Sequence, residues 1–164
     1  MKTDSQAFWK LFRPAACSVR LKGLNPEDVF AEVVDNLVKG GQLPAELTAP
    51  ALAALTDRER MASTGVGMGV AVPHVKLAGL ERAAVSFSVQ PDGLDWRAID
   101  GEPVYLFFTV LRPVEAGGEH DPDRHLEMMR WIARLCRHED FRRFACGAKT
   151  RTELVDLLRE MASL

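Results

Sequence analysis

The most informative feature of this sequence is how many kinds of protein it does not describe. No apolar run approaches the length of a membrane span. The opening stretch MKTDSQAFWKLFRP has neither the apolar core nor the small-residue cleavage site of a secretory signal. Cysteine is scarce and odd in number, with Cys17, Cys136 and Cys146 far apart and no CxxC pair, which excludes a disulfide scaffold and suits a reducing compartment. A formal net charge of −2 supplies no basic field for nucleic acid or anionic lipid. There is no GxSxG elbow, no HExxH and no Gly-Lys-Ser/Thr of a Walker loop. What remains is 164 residues, 47% apolar and 27% charged, the balance of an ordinary cytoplasmic domain with a real core. No internal repeat or long linker divides it, so residues 1–164 are expected to form one domain with an N-terminal arm over 1–15.

The chain turns on Ser63–His74, STGVGMGVAVPH, with Gly65, Gly67 and Gly69 at alternate positions. Glycines let the backbone pass close to a neighbour, because no Cβ intervenes. Val70, Ala71 and Val72 suit a short buried strand, and Pro73 then holds Val72 extended. His74 is thus presented at the end of a stiff segment. The glycines do not fit a dinucleotide fingerprint, since Val70 stands where a third glycine of that pattern belongs.

Around this stretch the pattern predicts alternating helices and strands, an α/β domain with a sheet flanked by helices. Residues 16–21 suit a first strand. Asn25-Pro26-Glu27-Asp28 is a helix start, with a cap, a proline in the first turn and acids on the positive end of the dipole. Val29, Phe30, Val33, Val34, Leu37 and Val38 follow at helical spacing until Gly40-Gly41. A second helix over about 50–60 turns Leu52 and Leu55 inward and ends in Asp57-Arg58-Glu59-Arg60, where an arginine can reach the His74 region.

Beyond His74, Ala83–Val89 alternates as a strand and Pro91-Asp92-Gly93 reads as a turn. Trp96 and Ile99 are expected to cover the core before Asp100-Gly101. PVYLFFTVL, 103–111, is the most apolar run and should be a central strand, followed by a loop over 112–123. Asp123 is expected to cap a helix running to about Arg137, with His125, Met128, Met129, Ile132 and Leu135 on one side. Asp140 should cap a short helix ended by Gly147. Thr150-x-x-Glu153 is a capping box for the last helix, which turns Leu154, Val155, Leu157, Leu158 and Met161 inward.

A lone histidine at a strand end is usually structural. Two features raise His74 above that reading: its aimed setting, and a second histidine, His125, at the start of a core-facing helix. One histidine can carry a transferred group while the other donates a hydrogen bond to it and an arginine neutralises charge. The segment HDPDRH, holding His120, Asp121, Asp123 and His125, is dense in metal-ligand types and leaves a zinc or iron site as a minor alternative. His138, at the polar end of its helix, is explained by the helix dipole, and the cysteines suit the core.

The string Arg58-Glu59 followed by Ser63-Thr64-Gly65-x-Gly67-x-Gly69-x-Ala71-x-Pro73-His74 resembles the signature of enzyme IIA domains of the phosphotransferase system, in the fructose, mannitol and nitrogen-regulatory class. Trp96, Asp100-Gly101-x-Pro103-Val104 and His125-Leu126 agree in order, over about residues 20–160. The resemblance implies a mixed β-sheet flanked by helices, with His74 accepting a phosphoryl group from HPr or a paralogue. That group would pass to a cysteine of a IIB domain or serve as a regulatory signal. It assigns His125 as the supporting histidine, Arg58 to charge neutralisation, and Ser63, Thr64, Gly65, Gly67 and Gly69 to the phosphate. His120, after Gly118-Glu119, competes for the second-histidine role, though Leu126 after His125 favours His125. No cofactor or metal is required, nor nucleic acid or membrane insertion. The chain carries no recognisable IIB, IIC or HPr-like segment, which tilts the expectation toward regulation. The alternative is a module that keeps the fold and binds partners without turning over phosphate.

Overall fold

The protein was analysed as a computed structural model that describes residues 5–114 and 120–163. Helix α1 spans Pro26–Lys39, and Asn25 caps it by accepting the Asp28 N–H at 2.9 Å. Its apolar stripe Val29, Phe30, Val33, Val34 and Leu37 is buried, and Gly41 ends the run at φ +75°. Helix α2 covers Thr48–Met61, and its buried residues are Ala51 and Leu55.

Five strands follow: β1 Gly65–Gly67, β2 Val70–Ala71, β3 His74–Leu77, β4 Ala84–Leu94 and β5 Val104–Pro113. β5 is central, as its composition requires. β4 pairs with it antiparallel on one side, while β2 and then β3 pair with it parallel on the other. Pro73 separates β2 from β3, and its carbonyl accepts the Val110 N–H at 2.8 Å. β1 folds back on β2 as a hairpin at the sheet margin.

Both faces of β5 are covered, which is why its sequence is a continuous apolar run. From Leu106 onward the side chains alternate. Leu106, Phe108 and Val110 join Phe8, Phe12, Trp131, Ile132, Phe141 and Leu158 on one face. Phe107 and Leu111 join the stripes of α1 and α2, with Trp96, on the other. Helices α3 Pro122–Arg137, α4 Glu139–Gly147 and α5 Arg151–Glu160 cover the first face, giving a helix–sheet–helix sandwich. Phe87 stacks on Phe108 with centroids 4.3 Å apart, in the middle of that layer.

Several local expectations are corrected. Residues 16–21 do not form a strand. A 3-10 turn over Pro14–Ala16 leads into one bridged position, Ser18 beside Ser88. Backbone bonds from Ser18 and Leu21 to Phe87 and Val89 hold the segment beside β4, and side chains add to them: Ser86 Oγ donates to Ala16 O, and Gln90 Nε2 to Leu21 O. Pro91-Asp92-Gly93 is not the end of β4 but an irregularity within it. Gly93 adopts φ +80°, and pairing resumes at Leu94 opposite Val104. Trp96 is buried, whereas Ile99 is 86% exposed, because its backbone N–H bonds Gly65 O and turns the side chain outward.

Asp121, not Asp123, caps α3, accepting the Asp123 N–H at 3.0 Å, since Pro122 takes the first helical position. Asp140 lies inside α4 and pairs with Arg143 instead of capping. Thr150 does cap α5 through the Glu153 N–H, while the Glu153 carboxylate takes the Lys149 N–H. Of the predicted 112–123 loop, 115–119 lie outside the described residues, as do 1–4 of the N-terminal arm and Gly118-Glu119 ahead of His120.

Candidate active site

The turn ahead of His74 is built by its glycines and held by side chains from elsewhere. Gly67 and Gly69 adopt φ +97° and +74°, a region open to glycine without strain. Gly65 needs its missing Cβ for another reason, since a Cβ there would stand 2.6 Å from that of Ala98. Asp100 Oδ2 accepts the Met68 N–H at 3.2 Å and so pins the hairpin tip. Thr64 is fixed from α2, where the Glu59 carboxylate accepts its N–H at 2.6 Å and its hydroxyl at 2.5 Å. Ser63 Oγ donates to Trp96 O at 2.7 Å and accepts the Gly65 N–H at 3.1 Å. Ser63, Thr64 and Gly65 therefore spend these groups on the scaffold that aims the next strand.

His74 opens β3 opposite Val110, with Val75 and Leu77 turned toward α1 and α2. Alternation sends His74 to the opposite face, toward α3. There it meets His125, in the first turn of α3. The two Nε2 atoms are 3.1 Å apart and the rings are nearly parallel, with centroids 5.0 Å apart. His120 is the next imidazole, its ring 6.0 Å from that of His125, so His125 neighbours both other rings. His125 and His120 are both buried, and of the two it is His125 that touches His74. His138 is exposed at the far end of α3.

Burial holds the His74 pKa below its ordinary 6.5, aided by the positive charges of Arg112, Arg58 and Lys76 in that order. Burial pushes His125 down to about 4, with His74, Arg112 and His120 adding to it. Both rings are therefore neutral near pH 7, and their contact needs one N–H and one lone pair. His125 Nδ1 is buried without a partner. If His74 were the donor, that atom would be an orphaned N–H, whereas a bare lone pair there costs less. The favoured arrangement has His125 Nε2–H donating to the single lone pair of His74 Nε2. That bond orients the ring, and the lone pair is free as a nucleophile only when the His125 N–H turns to another acceptor.

Arg58 lies at the C-terminal end of α2, where its Nη1 donates to Ala62 O at 2.7 Å, and its charge reaches His74. Arg112, which the sequence reading passed over, acts on both rings and outranks Arg58 at His74. Its signal was a lone cation ending the most apolar strand. Among the described residues no group of three or more His, Cys, Asp or Glu gathers as metal ligands. The Asp121 carboxylate is engaged at the α3 cap, where it accepts the Asp123 backbone N–H. Burial raises the thiol pKa of all three cysteines, to about 11 at Cys17 and about 12 at Cys136. A cleft of about 710 Å³ lies away from the histidines, beside Lys10, Arg13 and Glu81. Among the described residues no helix is long and apolar enough to cross a membrane.

Comparison with known proteins gives the family of this fold. The chain is 37% identical over 111 residues to the fructose-specific EIIA component of the PTS system from Haloferax volcanii, covering 68% of this chain and 69% of the relative. It is 33% identical to a nitrogen regulatory protein of Bradyrhizobium diazoefficiens, over 79% of this chain and 80% of that one. The crystal structure of the nitrogen regulatory protein IIA-Ntr from Neisseria meningitidis superposes with a TM-score of 0.78 at 25% identity, over 92% and 97% of the two chains. The family model of the phosphoenolpyruvate-dependent sugar phosphotransferase system, EIIA 2, matches residues 10–161, and the chain belongs to that family.

Proposed function

We propose that this chain is a cytoplasmic phosphoryl carrier whose intermediate is phospho-His74, with residues 1–164 acting as one IIA domain. The observation that carries the reading is the 3.1 Å contact between His74 Nε2 and His125 Nε2. It puts a hydrogen-bond donor beside the one lone pair positioned to attack phosphorus. The donor is an HPr-like phosphocarrier bearing phosphohistidine. As the His125 N–H passes from His74 Nε2 to a phosphoryl oxygen, the freed His74 Nε2 lone pair forms the new N–P bond while the donor's N–P bond breaks and its imidazole recovers the electron pair. No metal is needed, because such a transfer requires position and charge neutralisation more than covalent machinery.

Depression of both histidine pKa values supports these roles. A neutral His74 keeps its lone pair, and a neutral His125 still has one N–H for a phosphoryl oxygen. The phosphoryl group adds roughly −1.5 to −2 charge, which Arg58 and its cationic neighbours offset. Ser63, Thr64, Gly65, Gly67 and Gly69 shape the wall beside that group. The acceptor is either a IIB cysteine or a set of target proteins that sense phosphorylation. The likeness to nitrogen regulatory proteins favours the second use.

The test is labelling by phosphoenolpyruvate with enzyme I and HPr, comparing wild type with His74→Ala and His125→Ala. The expected result is an acid-labile, alkali-stable label that His74→Ala abolishes. An unlabelled wild type, with carriers active on a control IIA, overturns the transfer reading and leaves the interaction module.

A further inference from the structure

Arg112 is the charged residue that the tertiary structure, not the local sequence, delivers to the histidine pair. On β5 the even-numbered residues Leu106, Phe108 and Val110 face the α3 layer. Arg112 continues that parity one step past Val110. On β3, His74 pairs with Val110 and Lys76 with Arg112. His74, Lys76 and Arg112 therefore occupy neighbouring positions on one face of two adjacent parallel strands, under the first turn of α3. Arg112 is only partly exposed, and its Nε is buried with no hydrogen-bond partner. Among the described residues no carboxylate is in ion-pair contact with it.

A guanidinium held with a buried, unpartnered N–H costs stability, and native structures rarely leave such a donor idle. Arg58, by contrast, spends one of its N–H groups on Ala62 O at the end of α2. The charge of Arg112 also reaches both imidazoles, as a cation on their side of the sheet should.

We propose, resting on the phospho-His74 reading above, that Arg112 is a further phosphoryl-binding residue of this site, its guanidinium donating to the oxygens of the group on His74. The negative charge arriving with the phosphoryl group is then met from three sides. His125 donates from α3, Arg112 from β5, and Arg58 adds its field from α2. Arg112 stays protonated throughout, since guanidinium does not titrate in proteins, so the transfer needs no proton from it. Its fork geometry suits two phosphoryl oxygens at once, a fit lysine lacks.

The experiment compares wild type, Arg112→Gln, Arg112→Lys and Arg58→Gln in two arms. One arm uses the carrier mixture. The other uses phosphoramidate, a small donor whose N–P bond breaks with loss of ammonia and which needs no protein partner. The readouts are initial labelling rate, lifetime of the phosphohistidine, and the NMR titration of His74 among its charged neighbours Arg58, Lys76, His125 and Arg112. The expected result is a loss of about tenfold or more in labelling rate and a shortened lifetime for Arg112→Gln in both arms, the order lost with one charged donor. Arg112→Lys is expected to recover part of it, and the His74 titration in Arg112→Gln to move up toward 6.5. A folded Arg112→Gln protein that labels, holds phosphate and titrates like wild type overturns the proposal. Wild type labelled by phosphoramidate but not by the carriers removes the carrier reading, while the phosphoramidate arm still judges Arg112. No label on His74 from either donor overturns both.

Discussion

Glu59 and Trp96 are joined by a hydrogen bond, Trp96 Nε1 donating to Glu59 Oε1 across 3.0 Å, and the same carboxylate holds Thr64 by two more. One side chain from α2 thereby ties the segment before β1 to the segment after β4. Those two segments flank the hairpin that leads to His74. Replacing Glu59 by Gln puts an N–H₂ among three donors. The expected cost is about 2–4 kcal/mol of stability, the scale for losing bonds to a charged acceptor and leaving a buried donor unmet. Chemical denaturation of Glu59→Gln checks it.

The histidine cluster predicts unequal roles for His125 and His120. His125 Nε2 is 3.1 Å from His74 Nε2, whereas the His120 ring neighbours that of His125, with centroids 6.0 Å apart. His125→Ala is expected to slow phosphorylation about ten- to hundredfold, as does loss of one positioned donor. His120→Ala should stay within about threefold, because its influence passes through His125 alone. Initial rates with the carrier mixture separate them, and the reverse order would move the supporting role to His120.

Stability should fall with acid in a window set by these rings. His125 has a folded pKa of about 4 against 6.5 when unfolded, so between those values the unfolded chain binds more protons. Stability from His125 is complete above about pH 6.5 and is lost progressively as pH falls toward 4, reaching about 3 kcal/mol for this buried ring. His74 shifts in the same direction and adds to the slope. Urea midpoints between pH 7 and 4 measure it, and His125→Asn should flatten the curve.

The glycines of the hairpin are expected to differ in cost. Gly65→Ala would place a Cβ 2.6 Å from Ala98 Cβ and 2.9 Å from its Cα, so backbone must move. A loss of about 1–3 kcal/mol is expected, the range for overpacking. Gly101→Ala meets nothing within 4 Å and bears only its left-handed φ of +73°, about 1–2 kcal/mol. Only Gly65→Ala should also slow labelling, because it displaces the turn that leads to His74. Thermal melts and labelling rates on both variants decide the point.

Much of this architecture is written locally. Asn25-Pro26 starts α1 and Thr150 caps α5 because a cap needs only residues three positions apart. His74 was legible as the centre because glycine, proline and histidine in one dozen residues dictate a turn, a stiff strand and an aimed ring. The apolar run that became β5 announced its burial on both faces through composition alone. Where the reading slipped, a distant partner had intervened. Residues 16–21 kept only a single bridged position beside β4, supplemented by the Gln90 and Ser86 side chains, and Ile99 turned outward when its amide paired with Gly65.

The site itself divides along the same line. The chain by itself singled out His74 as the candidate ring, since its glycines and Pro73 lie within the same dozen residues. Which groups surround that ring was decided by tertiary structure alone. Parallel register puts Arg112, opposite Lys76, on the same face as His74 from 38 positions further along the sequence, and the entry of α3 brings His125 to within 3.1 Å of His74. Pairing across a sheet and packing of a helix on its face act between residues remote in sequence, so no local pattern encodes them. The charge balance at His74 is therefore a property of the fold.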